Sequence, residues 1–412
     1  MRVRTLLRKL LCVTSLVVQG ARFEVEGLVV AVRPRRGRRA RCGQCGKPGP
    51  VYDRQPTRRW KHLALGEVFL WLEYAPRRVR CRPCGVRTEQ VPWAAHRSRF
   101  TLQLEEMMAY LATTTSRAAV SKLLGVNWRS VGAVVERIVA ERMDPKRFDE
   151  LRRIGVDEFS YRKHHQYLTV VVDHDCGRVI WAAEGRSGQT LHQFFDLIGA
   201  DVAHALEHVT MDMAAGYIGV VRERAPQAEI IFDRFHVAQL ASNAVDEVRR
   251  SLVRQLAGTD EASTVKKTRW ALLKNPGRLS PSQQYKLAEL AHINSPLYRA
   301  YLLKETLAAA LDRKQPWRAR EQLDQWLAWA SRSKLKPFVR LAKTIRKHRD
   351  DIVRYVKHRL TNAVVEGINN RIRVIARVAY GFHRPQTMIA WIYLCCSSIN
   401  LDPPLPYPHK LQ

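Results

Sequence analysis

Two groups of residues in this 412-residue chain have types and spacings that could do chemistry. The first is four cysteines in two pairs, Cys42-x2-Cys45 and Cys81-x2-Cys84. Each Cys-x2-Cys turn presents two thiolates to one ion, and two such turns complete a tetrahedral Zn²⁺ site. Gly46 and Gly85 follow the second cysteine of each pair, where the backbone must turn its amides toward sulfur. All four positions are filled by protein, so this metal is structural. Two disulfides would need an oxidising compartment that nothing else in the sequence supports. The second group is acidic. Asp157, Asp212 and Asp233 each end a short apolar run, and Glu366 lies in a helical stretch. One Asp at a strand end is often a turn or cap residue. Three in succession suggest carboxylates gathered at one edge of a sheet. Such sites hold Mg²⁺ or Mn²⁺ through oxygen, and a pair of ions ~3.5–4 Å apart acts on both oxygens of a phosphodiester displacement.

The elements that must position these carboxylates can be followed along the chain. The segment 153–159 predicts a strand ending in Asp157, and the β-branched run 165–173 predicts a second. Asp175-Cys-Gly177 makes a turn into a third, 178–184. A helix over 189–198, a strand ending at Asp212, a helix over 214–223 and a strand ending at Asp233 follow. Three antiparallel strands and then alternating helix and strand describe an RNase H-like α/β domain. From about 245 to 345 the pattern is helical, and Trp270, Trp317, Trp326 and Trp329 are expected in its core. Val364, Val365, Ile368, Ile372 and Ile375 then give a buried helical face beside Glu366, with Arg373 and Arg377 farther along.

Upstream, residues 116–138 contain a helix to Leu124, a turn at Gly125 and a second helix from about Asn127. That is helix-turn-helix geometry, with Asn127, Arg129 and Ser130 as groove-facing donors. The fold class expected is multidomain α+β. It comprises a basic strand region (1–35), a zinc ribbon (36–92), a helix-turn-helix (93–146), the first part of the RNase H-like core (147–244), a helical insertion (245–345) and the last part of the core with C-terminal helices (346–412).

Charge names the partner class. The chain carries a formal +32, and residues 1–100 alone hold 23 basic against 6 acidic residues, about half of the excess. Arg33, Arg35, Arg36, Arg38, Arg39 and Arg41 form the densest run, and Arg35, Arg36, Arg38 and Arg39 are expected to hold phosphates. No apolar run reaches the roughly 18–20 residues of a membrane span. The basic start of the chain precedes only a short, interrupted apolar run, which argues against a secretory leader. A cytoplasmic, nucleoid-associated protein is expected.

These residues resemble the bacterial insertion-sequence transposases of the ISL-three type, with a DDE catalytic domain. The match is carried by the two knuckles, Gly155-Val-Asp157-Glu-Phe, Tyr167-Leu-Thr-Val-Val-Val-Asp173 and Thr210-Met-Asp212-Met. Phe232-Asp233-Arg234-Phe235-His236-Val237, Asn362-Ala-Val-Val-Glu366-Gly-Ile-Asn-Asn and Tyr380-Gly381-Phe382 complete it. The resemblance implies a triad of Asp157, Asp212 and Glu366 holding Mg²⁺ or Mn²⁺. It implies cleavage at transposon ends, joining of the freed 3′-OH to target DNA, and no covalent protein–DNA intermediate. Asp233 is expected as a supporting carboxylate, with Arg234 and His236 beside it. The partners are double-stranded DNA, as element ends and as target, and a second copy of the chain, since transposition pairs two ends. The rival reading is an inactive DNA-binding regulator of the same descent, and the complete triad separates the two.

Overall fold

The computed structural model describes residues 3–11, 16–35, 39–162, 166–293, 295–360 and 362–404. Arg36 and Arg38 of the basic run lie outside the described residues. The chain forms two compact units, one of residues 1–144 and 374–412, the other of residues 145–373.

The first unit begins with α1 (Val3–Leu10), β1 (Leu16–Glu24) and β2 (Gly27–Pro34). The β1–β2 hairpin turns at Gly27, whose φ of +126° and closeness to the Phe69 carbonyl exclude a side chain. There follow β3 (Val51–Arg54), β4 (Arg58–Leu65), β5 (Val68–Tyr74), β6 (Arg77–Cys81) and β7 (Gly85–Thr88). They sort into two sheets, of order β1-β2-β5-β4 and β3-β6-β7. β5 therefore joins the N-terminal hairpin, through a parallel pairing with β2, and not the sheet that carries the cysteines. Its period of two explains this. Leu70, Leu72 and Tyr74 point into an apolar core with Trp60 and Trp93. Three helices follow: α2 (Leu102–Thr114), α3 (Arg117–Leu124) and α4 (Trp128–Arg142). Each has a side-chain N-cap, from Thr101, Ser116 and Asn127, and α3 ends on Gly125 in the left-handed conformation.

The second unit is built on β8 (Arg153–Arg162), β9 (Gln166–Asp173), β10 (Arg178–Glu184), α5 (Gly188–Ala205), β11 (His208–Met211), α6 (Ala215–Arg224) and β12 (Glu229–Phe232). The strand order is β10-β9-β8-β11-β12, with the first three antiparallel and β8, β11 and β12 parallel. Ile154, Val156, Val209, Met211, Ile230 and Phe232 fill a core with Phe194 and Phe195 of α5 and Tyr217 of α6. The rest of the unit is helical: α7 (Arg234–Gln255), α8 (Asp260–Lys267), α9 (Arg269–Leu273), α10 (Pro281–Ile293), α11 (Ser295–Leu311), α12 (Pro316–Arg332), α13 (Lys336–Lys347) and α14 (Arg349–His358). Of the tryptophans expected in its core, Trp326 is buried and its Nε1 donates to the Leu303 carbonyl at 2.7 Å, and Trp329 packs at the core's edge. Trp270 and Trp317 are instead exposed, each with an adjacent arginine over its ring. Helical spacing alone did not separate these two from the apolar stripe.

α15 (Ala363–Val378) begins in the second unit and ends in the first, and α16 (Pro385–Cys396) follows. α16 packs on α2 and α4. Trp391 Nε1 donates to the Ala112 carbonyl at 3.0 Å, and Thr387 Oγ1 to Glu136 at 2.6 Å.

Candidate functional site

Cys42, Cys45, Cys81 and Cys84 converge, one sulfur of each lying within 4.8 Å of the others. Cys81 ends β6 and Cys84 leads into β7, a tight antiparallel pair that fixes one knuckle. The other knuckle is closed by the Gly46 amide on the Cys42 carbonyl at 2.9 Å. Gly46 and Gly85 have φ near +70°, the left-handed conformation these turns require. The Lys47 amide and neighbouring Cys81 hold the Cys45 thiol down to about 7, so a thiolate is available near neutrality. Four sulfurs around one point suit a structural Zn²⁺.

The acidic site follows from strand register. Gly155 pairs with Thr210, and Met211 with Phe232. Two residues beyond Gly155 and Thr210 come Asp157 and Asp212, at one level on neighbouring parallel strands. One residue beyond the second pair, Asp233 sits level with Asp212. Period-two alternation then puts Asp157 and Asp212 on the same face as Gly155 and Thr210. α15 lies on that face. The Thr210 hydroxyl donates to Asn362 Oδ1, and Asn369 Nδ2 donates to Asp157 Oδ2 at 2.7 Å. At Gly155 a Cβ would stand 2.3 Å from Val365 Cγ2, so only glycine admits the helix so close. Glu366 lies one turn before Asn369 and is exposed.

Burial raises the Asp157 carboxyl above its usual value, and the charge of Asp212 adds to this. The Glu158 amide at 2.8 Å and His236 oppose the rise. Glu158, on the opposite face, is also raised, by burial and then by Asp212. Asp212 accepts from the Ala214 amide at 2.9 Å. The three expected carboxylates do not close on one point. Among the described residues, the groups of three or more ligand-type side chains within 4.8 Å are the cysteines and a His208–Glu229–His358 trio elsewhere.

The remaining expected residues have definite places. Asp233 is buried and caps α7, accepting from the Phe235 amide at 3.2 Å. Arg234 pairs with Asp312 at 2.6 Å, and His236 acts on Asp157 through its charge. The Asn127 side-chain carbonyl caps α4, accepting from the Arg129 amide at 2.9 Å, and its amide nitrogen remains as a donor. Arg129 is exposed beside Trp128, and Ser130 is half-buried. Arg35 lines an open cleft with Arg33, Arg54 and Arg77, and Arg39 is exposed. Arg373 and Arg377 are exposed, and Arg373 donates to Asn370. Sequence reasoning missed Asn369, Asn362 and Thr210 as positioning residues. The available signal was two asparagines on one apolar helix face with Val365.

Comparison with known proteins agrees with the geometry. Residues 154–392 match a family model described as a transposase. Residues 89–139 match the helix-turn-helix domain of transposase family ISL3, and residues 38–84 the zinc finger of the transposases of IS204, IS1001, IS1096 and IS1165. The chain is 39% identical to the transposase for insertion sequence element IS1557 of Mycobacterium tuberculosis, over 93% of this chain and 91% of that one. It is 32% identical to the transposase for insertion sequence element IS1001 of Bordetella parapertussis, over 79% of this chain and 81% of that one.

Proposed function

The chain belongs to the ISL3 family of insertion-sequence transposases, and from that premise we propose that it binds the terminal inverted repeats of its element and cuts and joins DNA through Asp157, Asp212 and Glu366. The observation that carries this reading is the in-register placement of Asp157 and Asp212 on one sheet face, beneath the helix that bears Glu366. The strand order β10-β9-β8-β11-β12, antiparallel then parallel, supports an RNase H-like core interrupted by the helices α7–α14.

All three side chains are hard oxygen donors, and the raised carboxyl of Asp157 and the orphaned, buried Asn369 Oδ1 are what a site built around a cation would display. Mg²⁺ or Mn²⁺ held there would polarise the phosphodiester and make water a competent nucleophile near neutral pH. The chain's own residues do the positioning. Asn369 fixes the Asp157 carboxylate, Thr210 and Asn362 fix the start of α15, and the Asp233 cap sets the start of α7. The exposed Arg373 and Arg377 are placed for DNA phosphates. Cleavage frees a 3′-OH, which attacks target DNA without a protein-linked intermediate. The buried Tyr217 hydroxyl, bonded to Thr169 at 2.8 Å, is poorly suited to be a nucleophile. In the first unit, α4 enters the major groove with Arg129 and Ser130, while the ribbon's arginine-lined cleft and Arg39 hold backbone. Pairing two ends requires two copies of the chain.

Nicking of end DNA in Mg²⁺ tests the reading. Wild type cuts, while Asp157→Ala, Asp212→Ala and Glu366→Ala each lose roughly a thousandfold, about 4 kcal/mol at 1.4 kcal/mol per tenfold. Normal cutting by any of the three removes that residue from the site. A wild type that binds ends and never cuts is a regulator.

A further inference from the structure

Three ligand-type side chains converge at the end of the parallel strands opposite the carboxylates. His208 opens β11, Glu229 opens β12 and His358 closes α14. One ligand atom from each lies within 4.8 Å of the others. His208 and Glu229 are direct partners in the parallel ladder, so the sheet itself sets the pair. α14 packs on β12 and delivers His358, whose ring stands edge-on to that of His208 with centroids 4.4 Å apart.

Glu229 divides its two oxygens between different neighbours. Oε1 faces Lys357 Nζ at 3.4 Å and Arg354 Nε at 3.9 Å. Oε2 turns to the imidazoles, in close contact with His358 Nε2 and 3.7 Å from His208 Nε2. Yet Glu229 Oε2, His358 Nε2 and His208 Nδ1 are buried atoms without a hydrogen-bond partner among the described residues. Buried polar atoms are ordinarily satisfied, so an unbonded Glu229 Oε2 and His358 Nε2 in contact with each other need a cause. Two imidazolium rings at this separation would repel each other. Ring nitrogens and a carboxylate oxygen converge there, which is the donor set of a cation site.

We propose that His208, Glu229 and His358 bind one Zn²⁺. Two imidazoles and one carboxylate oxygen suit Zn²⁺ better than Mg²⁺ or Ca²⁺, which prefer all-oxygen shells. Three protein ligands leave the fourth position of a tetrahedral Zn²⁺ to water. Lys357 and Arg354 hold the second oxygen of Glu229 and so orient the first, the outer-shell support metal ligands usually have. The ion would pin the last helix of the insertion to the sheet, just before the chain enters α15. This site is distinct from the cysteines and from Asp157, Asp212 and Glu366, and it does not depend on whether those carboxylates cut DNA.

The test uses the full chain, loaded with Zn²⁺ and freed of excess by gel filtration, with metal content measured by mass spectrometry. Wild type should carry one zinc more than His208→Ala/His358→Ala. Cys42→Ser/Cys45→Ser should lose a different one, so that combining the substitutions removes both. Equal zinc in wild type and the double histidine variant overturns the proposal, and the trio is then an ion-pair cluster only. Should that variant fail to fold, Co²⁺ titration of wild type decides. The cysteine site shows thiolate-to-cobalt charge transfer. A second tight equivalent should add tetrahedral visible absorption without it, and saturation after the first equivalent contradicts the site.

Discussion

The cysteine cluster of the first unit and the proposed carboxylate site of the second are prepared to different degrees. In the first unit four sulfurs already meet at one point. In the second, Asp157 and Asp212 are in register and Glu366 is on the adjoining helix, yet the three carboxylates stay apart. The difference lies in chain connectivity and charge. Each cysteine pair is closed by one local turn, and a thiolate can lose its charge by taking up a proton when no metal is present. The carboxylates come from two strands and a distant helix, and like charges gathered from them repel. Two like charges 4 Å apart cost about 4 kcal/mol at an effective dielectric of 20. In the proposed site the scaffold would stand ready and the ligands would gather when a cation arrives. The scaffold here is Gly155, Thr210, Asn362 and Asn369, all of which touch α15 or belong to it.

This contrast can be broken at several points. The largest effect belongs to the cysteines. A structural zinc contributes on the order of 10 kcal/mol to the folding of such modules. Cys81→Ser/Cys84→Ser should therefore unfold the ribbon and abolish end binding, while the melting transition of the second unit stays in place by calorimetry. Retained end binding would mean the ribbon does not grip DNA.

Next comes an effect of pH on the first unit. His62 is buried, with Nδ1 2.8 Å from Thr101 Oγ1, and burial pushes it down to about 4. The unfolded chain gains its proton near 6.5, so the stability this residue contributes is complete above that pH. It is lost as pH falls toward 4. The loss amounts to roughly 3 kcal/mol at 1.36 kcal/mol per unit. Urea unfolding followed by Trp60 and Trp93 fluorescence should show it, and His62→Gln should flatten the profile.

Gly155→Ala probes the close approach of α15. The new methyl would meet Val365 and cost about 1–3 kcal/mol in the second unit. Adding Val365→Ala should restore much of that stability, and a double variant no better than the single would place the strain elsewhere. Asn369→Ala is the smallest change. Losing one hydrogen bond to a carboxylate should cost about 1.5 kcal/mol, roughly tenfold in cleavage. It should appear as a higher Mg²⁺ requirement with end binding unchanged. A purely structural role would lower thermal stability and leave the metal requirement alone.

Much of the sheet was legible because its signals are local. The β-branched run before Asp173, the Asp-Cys-Gly turn and the apolar runs before Asp212 and Asp233 each announce a strand by themselves. The knuckles and the Gly125 turn were legible for the same reason. Long-range placement was not. Nothing local states that β5 pairs with β2, that α16 packs on α2 and α4, or that Trp317 faces solvent. The role of Asn369 as the partner of Asp157 depends on which element ends up beside which. Two asparagines a helical distance apart could only hint at it. The His208–Glu229–His358 trio escaped notice for the same reason, since the parallel register of β11 and β12 is what joins its first two members.

The central claim is that the fold brings Asp157, Asp212 and Glu366 to a common cation. It is tested most directly by diffraction from the full chain bound to end DNA and soaked in Mn²⁺, with data collected at the manganese edge. The account predicts anomalous density in contact with all three carboxylates, lost in Glu366→Ala. Manganese bound through Asp157 and Asp212 alone, with Glu366 still turned to solvent, would contradict it.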